Sequence, residues 1–227
     1  MTMFHLERGL RKSKDPRDQE RADTVAAMLK DRGEDIALPQ SELRTRRPLT
    51  AEEKEALRRE GLTAVYPLTE ETIADQRKKG RKFWYVTGSD NNSLLIVRSL
   101  IGDVAVDPRP DKFFLPKSNK LTLDRQLEMV SEFSYKLQRK LKTDSIEAIL
   151  GQAPDYTELA FAHLDAVGER FFGQNYGYNY ARTQTPTVGS SVANVGSFGA
   201  GGGLVVRGLH RGYGLVSVFA VPLVVAK

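Results

Sequence analysis

The chain changes texture at Gly173, and that break constrains the fold more than any other feature. Upstream, apolar residues recur at helical spacing. Downstream, helix formers vanish, and β-prone pieces alternate with glycine and asparagine: "SSVANVGSF", "GGLVVRGL" and "LVSVFAVPLVV". Pieces of that length between turn formers read as strands of a meander. Helices and strands gathered in separate stretches argue for an α+β fold over a parallel sheet of βαβ units.

The strongest helix runs from Thr122 to about Lys142, where Leu123, Leu127, Val130, Phe133, Leu137 and Leu141 form one apolar stripe. A second core helix is expected in "PDYTELAFAHLDAVGERFFG", capped by Asp155, with Leu159, Ala160, His163, Leu164 and Val167 on one face. "DSIEAILG" reads as a short helical turn between the two. Earlier, "RKFWYVTG" and "SLLIVRSLIG" are strand-like around the turn signal "SDNN" (89–92), so a β-hairpin is expected. "DPRPDKFFLPKSNK" is a proline-punctuated loop pinned to the core by Phe113 and Phe114.

Two charged helices are expected before the hairpin. "LTAEEKEALRREG" opens on a capping box of Thr50 and Glu53 and stops at Gly61. "LTEETIADQRKKG" is capped by Thr69 and stops at Gly80. Helix-boundary chemistry alone produces their likeness. "KDPRDQERADTVAAMLKDRG" reads as a third charged helix, from Asp15 to Gly33, with a thin apolar face. The expected division is a charged helical arm over 1–48 and an α+β domain over 49–227, with 174–227 as its β-rich part.

At 227 residues the chain can bury a real core. It contains no cysteine, which excludes disulfides, thiolate metal sites and cysteine nucleophiles. Its net charge of +5 permits an acidic partner without demanding one. "MTMFHLERGLRKSKD" lacks the apolar stretch of a secretory signal, and "GLVSVFAVPLVVAK" is too short to cross a bilayer. The expectation is a cytoplasmic protein without membrane insertion, able to associate through its N-terminal arm.

The candidate chemistries are few. "GSFGAGGGLVV" is followed by strand residues and not by the helix that would hold a phosphate, so it reads as a turn between strands. Ser190, Ser191 and Ser197 all miss the nucleophile-elbow spacing. No two of His5, His163 and His210 stand at metal-ligand spacing, and nothing in the sequence asks for a cofactor. An unrecognised enzyme would need His163 or His210 in a pocket. The best nucleic-acid signal is "RKKGRKFWY", where Arg77, Lys78, Lys79, Arg81 and Lys82 adjoin the stacking aromatic Trp84.

The last fifty or so residues resemble the end of a C-type-lectin-like domain, in the branch shared by formylglycine-generating enzymes and retroelement-diversified variable proteins. Tyr180-Ala181-Arg182-Thr183 resembles the turn after an aromatic strand in that branch. Val192 to Phe198 resembles its exposed polar strand, and Gly214 to Val225 its closing strand. The region lacks tryptophan and the Arg-Pro after the final glycine. Without cysteine, the oxidase chemistry of formylglycine-generating enzymes cannot carry over. The resemblance implies a binding scaffold whose ligand face comprises Tyr176, Tyr178, Asn179, Tyr180, Arg182, Ser191, Asn194 and Tyr213. Tyr, Asn and Ser suit such a face, since they give large contacts at low entropy cost. The leading expectation is therefore a non-catalytic binding or structural protein with a protein or glycan ligand. Nucleic-acid binding through 77–85 is the second.

Overall fold

The computed structural model describes residues 44–87 and 93–227. One compact unit spans Leu43–Lys227. The helix expected from Asp15 to Gly33 and the turn at 89–92 lie outside the described residues.

The elements follow in this order: α1 (Ala51–Arg59), β1 (Ala64–Thr69), α2 (Ile73–Lys78), β2 (Phe83–Val86), α3 (Ser93–Ile96), β3 (Ile101–Val106), α4 (Pro110–Phe113), α5 (Leu123–Leu141), β4 (Ile146–Leu150), α6 (Ala153–Val167), a 3-10 turn (Gln174–Tyr176), β5 (Tyr180–Pro186), β6 (Ser191–Gly199), β7 (Gly203–His210), β8 (Val218–Phe219) and β9 (Pro222–Ala226). They form an α+β fold with a four-stranded sheet, β1-β3-β9-β4, and a five-stranded sheet, β2-β7-β6-β5-β8.

Strand β9 explains the layering. Its run "PLVVA" is buried at every position, as in a strand covered on both faces. Leu223 and Val225 join one apolar cluster, Val224 and Ala226 the other. The four-stranded sheet therefore divides two cores. Its outer face carries α5, whose stripe supplies Leu123, Val130 and Leu137, and Leu57 of α1. On its inner face lies α6, buried at most positions from Ala153 to His163. A helix buried on nearly every side belongs in a core, and the five-stranded sheet covers it with Ala181, Val195, Phe198, Leu204 and Val206.

Local chemistry sets the helix ends. Thr50 accepts from the Glu53 amide while Glu53 accepts from the Thr50 amide, closing the expected capping box on α1. The cap of α2 is Thr72, with Asp75 as its return partner; Thr69, the expected cap, is the last residue of β1. The expected Asp155 cap is likewise displaced: Gln152 is the cap of α6 and Asp155 closes its box from the third helical position. Val167, expected on the buried face, is exposed, because the helix ends where the core does.

Other expectations are corrected. "SIEAILG" is strand β4, with burial alternating every second residue. The segment read as the second arm of a hairpin holds the short helix α3, and β2 pairs in parallel with β7. Strand β1, with Pro67 inside it, was not anticipated. It forms the edge of its sheet, where a missing N–H is tolerated. Strand β6, expected to be exposed, is central in its sheet and buried from Val192 to Gly196. The expected closing strand is two: β8 pairs with β5, and β9 crosses to the other sheet. The first residues described also belong to the body. Thr45 bridges Ile101, and Arg46 pairs with Glu147 at 2.6 Å.

Candidate functional site

The buried ionisable groups of α6 come first, since perturbed groups in a core are the usual signal of catalysis. Asp155 is fully buried and accepts from both Nη atoms of Arg44 at 2.9 Å, from the Leu100 amide at 2.8 Å and from the Gln152 amide at 2.6 Å. One turn on, Glu158 accepts from the Thr69 amide and hydroxyl at 2.8 Å and from Ser99 Oγ at 2.5 Å. Burial pushes the Glu158 carboxyl up, against the pull of those donors. Both acids spend their lone pairs tying the ends of β1 and β3 to the helix. His163 lies flat on Phe171, with ring centroids 3.6 Å apart, and its Nδ1 is 2.8 Å from the Tyr66 hydroxyl. Burial holds this imidazole down to about 4, so it is neutral at physiological pH. His210 is exposed, with Nδ1 accepting from the Gly212 amide. Among the described residues no three His, Asp or Glu side chains gather to hold a metal ion.

The glycine run forms the β6–β7 turn. A side chain on Gly203 would meet the Lys82 carbonyl at 2.6 Å, and one on Gly202 would meet the Trp84 indole at 3.1 Å. The glycines let β2 approach β7 and give Trp84 a floor. Trp84 is 73% exposed on this edge strand. Around it Lys78 pairs with Asp75, Lys79 with Glu71 and Arg81 with Asp165. Arg77 stacks over Phe83, and neither Arg77 nor Lys82 has an acid partner among the described residues. A four-residue strand with a bulge and flanking lysines is also how sheets guard an edge against pairing.

The expected ligand face divides into three groups. Tyr176 is buried, its hydroxyl donating to the Pro108 carbonyl at 2.5 Å among Phe113, Phe114 and Phe171. Asn194 is buried in the central strand, its Nδ2 donating to the Val192 and Arg207 carbonyls. Arg182 is fully buried too. None of these three can touch a ligand from this surface. Tyr180 and Ser191 are half-buried, Tyr180 beneath Arg207 at 3.8 Å and Ser191 paired with His210. Asn179 is half-buried as well, donating to the Tyr176 carbonyl. Only Tyr178 and Tyr213 stand exposed.

Arg182 is the largest of the fully buried side chains. It sits on β5 opposite Asn194. Its Nη2 donates to the Tyr213 carbonyl at 2.6 Å and the Leu121 carbonyl at 3.3 Å. Its Nε and Nη1 have no partner, and no acid among the described residues pairs with it. Burial pushes the guanidinium down to about 10, so it stays charged at neutral pH. A buried cation is costly, and this one is spent on two loop carbonyls.

Those loops, 115–121 and 211–217, lock together. The Lys120 amide donates to Leu215, the Leu123 amide to Arg211, and Asn119 Nδ2 to Val216. Gly214 has no room for a side chain, since one would collide with the Lys120 backbone. Lys117 and Lys120 are held at φ of 62° and 59°, a left-handed strain that persists only where the surroundings impose it. Outward from this frame project Tyr213, Leu215 and Val216, at 64, 38 and 63% exposure. Beside them stand the exposed Lys117 and Lys120, without acid partners among the described residues. Of these five, sequence reading found only Tyr213. The signal for the others was an apolar pair in the glycine-flanked "GYGLVS" and two lysines in "PKSNK", both ordinary in loops.

Comparison with known proteins finds no similar family, curated protein or solved structure: no family model matches, and neither do the curated proteins or the solved structures.

Proposed function

We propose that this chain is a non-catalytic recognition protein that holds a protein ligand on the loop pair 115–121 and 211–217. The carrying observation is Arg182, a buried guanidinium whose bonded nitrogen clamps the carbonyls of Tyr213 and Leu121. It makes a rigid platform of a segment exposing three large apolar side chains. An apolar patch with a charged rim is a feature of interaction surfaces, and aromatic anchors dominate their energetics. Leu215 and Val216 beside Tyr213 suit an apolar protein side chain better than a sugar, and the two lysines favour acidic residues around it. The reading keeps what the lectin-like resemblance implies, recognition by late strands and loops, and moves Arg182 behind the contact face.

The test is selection of displayed random peptides on the full chain, followed by affinity measurement on variants. Enriched peptides should combine acidic and apolar residues. Tyr213→Ala and Val216→Ser should each weaken them by about tenfold or more, while Trp84→Ala leaves them unchanged. Peptides that bind both loop variants as well as the native chain contradict the reading.

A second reading has its own observation: Trp84 lies open two residues from Lys82, which has no acid partner among the described residues, and an exposed aromatic beside a cation is what single-stranded nucleic acid stacks on. Trp84 is the only tryptophan of the chain, so oligonucleotide titration followed by its fluorescence reads that site alone. Quenching that fades steeply with salt supports this second reading; unchanged fluorescence at low salt removes it.

A further inference from the structure

The two apolar cores meet at a cleft that neither fills. Leu62 and Leu137 belong to the outer core and Phe113 to the inner one. Together with Leu115, Phe133 and Pro222 they wall a cavity of about 300 Å³. That volume lies at the lower end of what small-ligand pockets occupy.

The mouth carries four charged groups: Glu60, Asp107, Arg109 and Lys112. Both acids are already engaged. Glu60 takes the ammonium of Lys140, and Asp107 takes Nε and Nη2 of Arg109 at 2.9 and 2.5 Å. These partners leave the two carboxylates only 18 and 14% exposed. Lys112 is different. Its ammonium is 3.2 Å from Asp111, and both side chains are more than half exposed. A pair so open to water holds its members weakly, and Asp111 does not line the cleft. The cleft thus offers an apolar interior and one recruitable cation at its lip.

We propose that this cleft binds a small amphiphilic anion, a carboxylate with a compact apolar body. The body would lie between Phe113, Phe133 and Leu137, bridging the two cores, and the carboxylate would take Lys112 from Asp111. The cleft shares Leu115 and Pro116 with the loop 115–121, but none of the five exposed side chains of the loop surface lines it, so the two proposals are tested separately.

Octanoate and octanol, of equal chain length, are the probes. Each is titrated into the full chain, with methyl NMR of Leu62, Leu115 and Leu137 as the site readout and heat as the affinity readout. Octanoate should shift those three methyls saturably and bind several-fold more tightly than octanol. Lys112→Glu, at an exposed position that leaves the remaining spectrum unchanged, should weaken octanoate by about five- to tenfold and leave octanol as it was. Three results overturn the proposal. One is equal affinity for acid and alcohol. Another is no effect of Lys112→Glu. The last is shifts that never saturate or that spread to exposed Leu215 and Val216.

Discussion

Asp155 and Arg182 are both fully buried in this fold, and they are built differently. Asp155 on α6 has four donors for its two oxygens, from Arg44, Leu100 and Gln152. Arg182 on β5 has two acceptors for its guanidinium and leaves Nε and Nη1 without a partner. The acid fastens two separate chain segments, at Arg44 and Leu100, to the central helix and closes that helix's own cap at Gln152, which is a structural duty completed within the domain. The cation fastens only the backs of two surface loops. Full satisfaction marks a group that holds the fold; partial satisfaction, combined with strained and exposed residues directly above, marks one that holds a surface.

The largest consequence falls on the acid. Asp155→Ala should cost roughly 3 kcal/mol or more in urea unfolding, because it strands a guanidinium and two amides at once. A loss under about 1 kcal/mol would deny that the acid is a staple. His163 gives a pH test of the same core. It titrates at its ordinary 6.5 in the unfolded chain and near 4 in the folded one. Between those values the folded state binds fewer protons, so stability is full above 6.5 and falls as pH drops to 4. The drop should be on the order of 2 kcal/mol. His163→Phe, which keeps the stack on Phe171, should flatten that slope.

Arg182→Met comes next. Removing a buried cation that has no counter-acid relieves desolvation, while the freed carbonyls lose a charged donor. The net cost should be about 1 kcal/mol, clearly below that of Asp155→Ala. Equal costs would erase the distinction between the two centres. Glu53 gives the smallest effect, because its pair with Arg47 is exposed and solvent screens it. Arg47, Ser145 and the Thr50 amide hold its carboxyl at about 2, below its ordinary 4.5. Its contribution should therefore be present above 4.5 and vanish as pH falls to 2. Glu53→Gln should shallow acid unfolding in that window alone.

Sequence reading found what local chemistry determines. The capping box at Thr50, the stripe on α5, the aromatic anchors Phe113 and Phe114 and the Gly199–Gly203 turn all rest on residues close in the chain. It missed what pairing over distance determines. "SIEAIL" contains good helix formers, yet β9 recruits it as strand β4 across more than seventy residues. Pro67 disguised β1, and parallel pairing with β7 replaced the hairpin expected for β2. The same limit blurred the site. No local pattern reveals that β6 is central, so Asn194 and Arg182 read as surface residues although both are buried. Tyr213 entered only with the lectin-like resemblance; of the eight residues that resemblance implied, it and Tyr178 are the two that stand exposed.

The central claim is that Arg182 acts as a strut for the loop pair, and hydrogen exchange of Arg182→Met against the native chain tests it most directly. The Lys120 amide, bonded to Leu215, and the Leu123 amide, bonded to Arg211, report the junction. The account predicts at least about tenfold faster exchange at these two amides, with α6 and β9 unchanged, as expected of local opening. Protection unchanged at both amides, or lost equally across the whole domain, would contradict it.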